Sequence, residues 1–258
     1  MRRIECSAIT HIGLIRTTNE DNYYINGKFK KDIDADTEGY ADTAERDAYL
    51  YAVCDGMGGE RLGELASLIA VMTLKQYQET DVRYTITEYI KKANRLICNE
   101  IKKYNGSRIG TTLALLYLRD NKAVACNIGD SRVYLSRNEN LYLLTEDHTE
   151  AQRLVDMGVI DEEEANYHES RNKLTQHLGI FPEEMILEPF YSEEVKLKKD
   201  DIFVVCSDGL SSMVSDDDIA DILSLKGYDT TELVKILASK AQEGGGRDNT
   251  TIIVVKVH

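Results

Sequence analysis

Four aspartates stand at the ends of apolar runs: Asp55 after YLYAVC, Asp130 after AVACNIG, Asp208 after IFVVCS and Asp248 just before TTIIVVKV. The tip of a strand is a rigid mount for a carboxylate. Asp55 and Asp208 are each followed by glycine, which permits a sharp turn or a close approach to the backbone. A single Asp-Gly reads as a plain turn, but four strand-tip carboxylates ask for a shared purpose. If they converge, their charges repel unless cations sit among them. Oxygen ligands select hard ions, so Mg²⁺ or Mn²⁺ is expected. Zinc fits poorly, because only His11 and His148 lie near these motifs and no H-E-x-x-H spacing occurs. Two such ions hold a water or hydroxide that attacks phosphorus in line, giving hydrolysis without a covalent enzyme intermediate. Arg16, in GLIRTTNEDNYY, can hold phosphate oxygens bidentately, and Glu20 and Asp21 just beyond it can fix ion-bound water.

Elements that would position these groups follow from periodicity. Strands are expected at Asp21 to Ile25, Tyr49 to Cys54, Thr111 to Leu118, Ala123 to Ile128, Ser131 to Leu135, Leu141 to Leu144, Asp201 to Cys206 and Thr250 to Val257. Several are apolar throughout, as in strands buried on both faces. Helices are expected at Leu62 to Gln78, with Leu62, Leu65, Ala66, Ile69 and Met72 on one stripe, and at Thr85 to Tyr104 behind a Thr85-x-x-Glu88 capping box. Three more span Thr149 to Met157, Ser215 to Leu223 and Thr231 to Gln242, the last stopped by Gly244-Gly245-Gly246. Helices cluster rather than alternate with strands, which favours an α+β fold of antiparallel sheets over a doubly wound one.

No repeat or Pro-rich linker divides the chain, so residues 1–258 read as one domain. Residues 28–47 read as an acidic, solvated surface loop. Within it Asp32-x-Asp34-x-Asp36 lacks the glycine and terminal glutamate of a calcium loop. Residues 151–184 mix helix and irregular sequence and read as a flap beside the site.

Composition narrows the function classes. The chain has 258 residues and a formal net charge of −14, with no basic patch, which disfavours nucleic acid and anionic membrane surfaces as partners. The N-terminus lacks the apolar core of a secretory signal, and no apolar run approaches the ~20 residues of a membrane span. A cytoplasmic, monomeric protein is expected. Cys6, Cys54, Cys98, Cys126 and Cys206 form no C-x-x-C pair, so neither a disulfide framework nor a zinc site is indicated.

GLIRTTNED, AVCDGMGGERLGELAS, RIGTTL, NIGDSRVYL, LTEDHT, CSDGL and GRDNTTIIVV occur in this order over nearly the whole chain. In these motifs the sequence resembles the metal-dependent serine/threonine protein phosphatases of the protein phosphatase 2C type (PPM family), in their short bacterial form. The resemblance implies a four-layer α-β-β-α sandwich: two antiparallel sheets flanked by helix pairs, with a flap insertion. It implies hydrolysis of phosphoserine and phosphothreonine on proteins, using two Mn²⁺ or Mg²⁺ ions and, in bacterial relatives, a weaker third. By position, Asp55 matches the bridging ligand and Gly56 a carbonyl ligand. Asp208 and Asp248 match the other direct ligands, and Asp130 a ligand of the third ion. Glu20 and Asp21 match acids acting through water, Arg16 the phosphate-binding arginine, and Asn249 a residue that orients its neighbours. A serine/threonine kinase is the functional counterpart this implies.

Two positions depart from the pattern. Met57 stands where some members have the histidine that protonates the leaving oxygen, and Glu60 where bacterial members often have histidine. The general acid is therefore expected to be Glu60 or a metal-bound water. A catalytically dead binding module would have lost metal ligands, yet Asp55, Asp208 and Asp248 are all present. An aspartyl-phosphate enzyme would need D-x-D where this chain has Asp55-Gly56-Met57, and no G-x-S-x-G or P-loop occurs.

Overall fold

Continuously apolar runs become the central strands of two stacked antiparallel sheets, because each of their faces meets a different core. The computed structural model describes residues 2–32, 35–58, 62–77, 82–104 and 109–258. The chain opens with β1 (Ile4–His11), β2 (Asn22–Ile25), β3 (Lys28–Phe29), β4 (Thr37–Ala44), β5 (Ala48–Cys54) and β6 (Gly56–Met57). Helices α1 (Leu62–Leu74) and α2 (Val82–Lys103) follow. Next come β7 (Gly110–Thr111), β8 (Leu113–Arg119), β9 (Lys122–Ile128), β10 (Arg132–Arg137) and β11 (Asn140–Leu143). An excursion holds α3 (Glu150–Asp156) and α4 (Glu162–Tyr167), before β12 (Phe190–Tyr191), β13 (Val195–Lys196) and β14 (Ile202–Cys206). The chain closes with α5 (Asp208–Ser211), α6 (Asp216–Leu223), α7 (Thr230–Glu243) and β15 (Thr250–Val257).

The first sheet runs β11-β10-β14-β15-β1-β4 and the second β12-β9-β8-β5-β2-β3, with β13 also on β9 and a small β6-β7 ribbon apart. Side-chain alternation explains the composition. On β5, Tyr49, Tyr51 and Val53 enter the core between the sheets, while Ala52 and Cys54 face the layer of α1 and α2. On β15, Ile253 and Val255 face between the sheets, while Ile252 and Val254 face the layer of α5 to α7. Each fully buried aliphatic side chain there contributes about 1.5–3 kcal/mol. This is the α+β, four-layer sandwich that the sequence implied.

Three local readings change. The 28–47 segment is not a plain loop: β4 pairs with β1 from Ile4↔Ala44 to His11↔Thr37 and forms an edge strand. Its side chains alternate between exposed and half-buried, so backbone pairing rather than apolar content holds it in place. Its partner β1 is absent from the expected strands because Glu5, Ser7 and Thr10 interrupt the apolar pattern. Glu5 and Ser7 serve the N-terminus of α7: Glu5 Oε1 accepts from Thr230 N at 2.8 Å, and the Ser7 hydroxyl bonds the Thr230 hydroxyl at 2.8 Å.

The other two changes are in helices. α2 begins at Val82, so Thr85 lies inside the helix instead of capping it, and its hydroxyl is buried without a hydrogen-bond partner. On α1 the buried face is Ala66, Ala70, Val71 and Leu74 together with polar Glu64, Ser67 and Thr73, while Met72 is exposed. The first turns of α1 pack against the backbone of Glu20, which needs donors rather than methyl groups: the Ser67 hydroxyl donates to Glu20 O at 2.6 Å. Thr149 caps α3, Ser215 caps α6, and α7 is capped by an Asp229/Glu232 box. All five cysteines are buried and unpaired. Among the described residues, no helix is long and apolar enough to cross a membrane.

Candidate metal centre and phosphate cleft

One end of the sandwich opens into a cleft of about 1340 Å³ whose walls include Arg16, Glu20, Asp55, Gly56, Asp130, Asp208, Asp248 and Asn249. Asp21 lies beside it, fully buried. The structure therefore brings Arg16, Glu20, Asp21, Asp55, Gly56, Asp130, Asp208, Asp248 and Asn249 together, from segments up to 232 positions apart.

Each carboxylate has its own mount. Asp55 sits at the break between β5 and β6, where the Thr112 hydroxyl accepts from Asp55 N at 3.0 Å and Asp55 O accepts from Thr112 N at 2.9 Å and from the Thr111 hydroxyl at 2.9 Å. Those two threonines explain why the expected strand 111–118 is split at Thr112. The glycines after Asp55 and Asp208 are required by close backbone approach, not by turns. A Cβ on Gly56 would lie 2.3 Å from Gly63 O and 2.4 Å from Glu20 O, and one on Gly209 would lie 2.0 Å from Asn249 O. Asp208 opens α5. Ser207, in the cap position, makes no side-chain cap bond, and its hydroxyl donates instead to Asp21 Oδ2 at 2.8 Å.

The loop that carries Arg16 is sewn to the start of β15. Asn249 accepts from Glu20 N at 2.8 Å and donates to Ile12 O at 2.9 Å and Thr18 O at 2.8 Å. Asn249 thus orients the whole 12–20 loop. Arg16, with its side chain 53% exposed, reaches Asp248 Oδ2 at 2.6 Å. That hydrogen bond raises the guanidinium pKa.

Electrostatics set this end of the molecule apart. Burial, followed by the charge of neighbouring carboxylates, raises Asp55 and Asp130 well above the ordinary range. Burial likewise pushes Asp208 up to about 6, and Asp21 and Glu20 up to about 7. The charges of Asp21, Asp208, Asp130 and Asp248 all bear on Asp55. Asp21 Oδ1, Asp208 Oδ1 and Glu64 Oε2 are buried with no partner. Buried carboxylate oxygens without donors are costly and normally rare.

Among the described residues no three His, Cys, Asp or Glu side chains are drawn together tightly enough to enclose an ion. The residues nonetheless fit hard divalent ions. The donors are oxygens, two of them orphaned, and Mg²⁺-like ions are held by one or two carboxylates while keeping several waters. A softer ion finds little here. His11 Nδ1 accepts from Gly13 N at 2.8 Å and His148 Nδ1 from Gly129 N at 3.1 Å, so both rings brace backbone. Arg132, three residues along β10's approach from Gly129, turns away to Asp147 at 2.7 Å.

The excursion at 151–184 does border the cleft. It is tied at both ends, by bridges between Thr149 and Leu174 and between Thr111 and Leu178. His177, Ile180, Phe181 and Glu184 then line the cleft wall. His177 escaped the sequence reading because it belongs to no recognisable spacing. The same holds for Thr111, Thr112 and Ser207, hydroxyls whose roles depend on chain segments far away in sequence. Glu60 lies outside the described residues.

Comparison with known proteins identifies the family and the fold. A family model described as Protein phosphatase 2C matches residues 34–238. The chain is 32% identical over 264 aligned positions to a protein phosphatase PhpP of Streptococcus pneumoniae, covering 99% of this chain and 98% of the relative. It is 32% identical over 256 positions to a serine/threonine phosphatase stp of Listeria monocytogenes, covering 96% and 93%. The Mycobacterium tuberculosis serine/threonine phosphatase PstP/Ppp superposes with a TM-score of 0.82 at 30% identity, covering 99% of both chains. A PstP catalytic domain solved in complex with two manganese ions superposes with a TM-score of 0.80 at 29% identity, covering 100% of this chain and 99% of that one.

Proposed function

Because the chain belongs to the protein phosphatase 2C family, we propose that it hydrolyses phosphoserine and phosphothreonine on proteins at the acidic cleft, with Mn²⁺ or Mg²⁺ as cofactor. The observation that carries this reading is the meeting of half-buried Asp55 and Asp208 with buried Asp21, an oxygen of Asp208 and one of Asp21 lacking any hydrogen-bond partner, beside a half-exposed arginine. Asp55, Gly56, Asp208 and Asp248 would hold two core ions, Asp130 a third, and Glu20 and Asp21 their water. When bound, the ions supply the activated water that attacks phosphorus, so no covalent enzyme intermediate is needed.

The chain's own residues supply the rest. Arg16 is anchored through Asp248 on one side and solvent-facing on the other, so its remaining donors can take phosphate oxygens bidentately. Asn249 keeps the Arg16 loop at a fixed height above Asp248. Thr111 and Thr112 fix the backbone of Asp55, and Ser207 fixes Asp21, so the carboxylates are set before substrate arrives. In this reading residues 1–258 form one catalytic domain, working as a cytoplasmic monomer opposite a serine/threonine kinase.

The decisive experiment measures phosphate release from a phosphothreonine peptide with Mn²⁺, with EDTA, and with the Asp208→Asn variant. Activity is expected only for the wild type with metal. Activity that survives both chelation and the substitution would overturn the metal-dependent reading.

A further inference from the structure

Beneath the acidic cleft lies a lysine that the reaction does not use. Lys30 is 1% exposed, among the largest fully buried side chains in the molecule. Burying an ammonium costs several kcal/mol unless opposite charge and hydrogen bonds offset it. The β2–β3 hairpin turns at Asn26 and Gly27, both at positive φ, and returns Lys30 alongside Asn22. Asn22 clamps it there: Asn22 Nδ2 donates to Lys30 O at 3.0 Å, and Lys30 N donates to Asn22 Oδ1 at 3.1 Å. From that fixed backbone the ammonium donates to Asn19 O at 2.7 Å.

Asn19 is the residue just ahead of Glu20 and Asp21, and it is anchored in turn. Its amide donates to the Thr10 hydroxyl at 3.0 Å and to Asp36 O at 3.3 Å, and its Oδ1 accepts from Asp21 N at 3.2 Å. Burial lowers the pKa of the ammonium, and the charges of Asp21, Glu64, Glu38 and Asp32, in that order, oppose the lowering. Two of these, Asp21 and Glu64, carry the orphaned oxygens noted above. A positive charge is thus buried beside the acid cluster, on a residue that does not line the cleft.

We propose that Lys30 is a built-in counter-ion of the acid cluster, a positioning residue that holds Asn19 to Asp21 in place before divalent ions bind. This rests on the metal-centre reading above. A fixed positive charge offsets carboxylate repulsion in the ion-free protein and competes with the ions once they enter. Removing it therefore harms the ion-free state more than the loaded one.

The test compares Lys30→Met and Lys30→Arg with the wild type by thermal unfolding in EDTA and in Mn²⁺, and by calorimetric titration with Mn²⁺. For Lys30→Met, Mn²⁺ should bind roughly tenfold more tightly than to the wild type. Its Mn²⁺-induced rise in Tm should exceed the wild-type rise by about 3–5 °C. Lys30→Arg, which keeps the charge, should return both values toward wild type. Equal losses of Tm in EDTA and in Mn²⁺, with unchanged affinity, would make Lys30 ordinary packing and overturn the proposal. If Lys30→Met folds only with Mn²⁺, the proposal is supported. If it folds in neither medium, Lys30→Met/Glu64→Gln, which removes one negative charge with the positive one, should recover folding, and its failure would overturn the proposal. A wild type that shows no Mn²⁺-induced rise at all would sink the metal-centre reading, and this inference with it.

Discussion

Strand β14 carries an aspartate at each end, and the two are treated in opposite ways. Asp201, just before the strand, is 1% exposed and fully paired: Arg137 donates to it twice at 2.7 Å, and Lys198 N donates at 2.6 Å. Asp208, two residues past the other end, has an oxygen with no partner, and its charge bears on Asp55. The strand is the same and so is the residue type. What differs is whether the fold pairs the carboxylate directly with a cation of its own. At the Arg137 end it does, and the carboxylate is part of the scaffold. At the cleft end Arg16 and Lys30 lie near the cluster but leave oxygens of Asp208 and Asp21 without a partner, which suits a further cation from solution.

This contrast can be broken by substitution. Asp208→Asn should lower kcat by roughly a thousandfold, several kcal/mol of transition-state stabilisation. The same change should leave the unfolding midpoint in EDTA unchanged or higher, since it removes a repelled charge. A clear loss of ion-free stability would mean that Asp208 is scaffold after all. Arg137→Met should do the reverse, costing about 3 kcal/mol in urea unfolding by stranding Asp201, with kcat within about twofold of wild type.

Smaller effects sharpen the comparison. Arg16→Lys keeps a charge but loses the planar fork, so a drop of about tenfold to a hundredfold in kcat/KM is expected, with Mn²⁺ affinity little changed. The pH dependence of ion-free stability gives a further test. Asp208 is pushed up to about 6, and Asp21 and Glu20 up to about 7, all above the values of an unfolded chain. Between roughly pH 4 and 7 the folded state therefore holds protons that the unfolded chain has released. Stability in EDTA should fall as pH rises through that window, and Mn²⁺ at the upper end should restore it. A flat profile in EDTA would contradict the crowding of these carboxylates. The smallest expected change is Ser207→Ala, about 1 kcal/mol, from the lost bond to Asp21.

Much of this was legible in the sequence, for identifiable reasons. Strands buried on both faces announce themselves as apolar runs, and an aspartate at the end of such a run is conspicuous, which is why Asp55, Asp130, Asp208 and Asp248 could be picked out. Strand β1 was not legible, because Glu5 and Ser7 are spent on the N-terminus of α7. Nor was β4, whose place depends on that unseen partner. Glycine was recognised at Gly56 and Gly209 but for an incomplete reason: the constraint is the passing backbone of Glu20, Gly63 and Asn249. The buried roles of Lys30, Glu64, Ser67 and Thr112 are set by segments distant in sequence, which no local pattern records.

The carboxylates of the cleft also come from opposite sides of the sandwich. Asp55 leaves the second sheet, Asp208 and Asp248 flank strands of the first, and Asp130 lies on the link from β9 to β10 that crosses between them. Any cation that draws these groups together rivets the two sheets at one end. Peeling the sheets apart from that end then has to break the rivet first. Cofactor occupancy should therefore govern the lifetime of the folded molecule as well as its chemistry, with amide hydrogens of β5 and β14 exchanging in step as the ions leave.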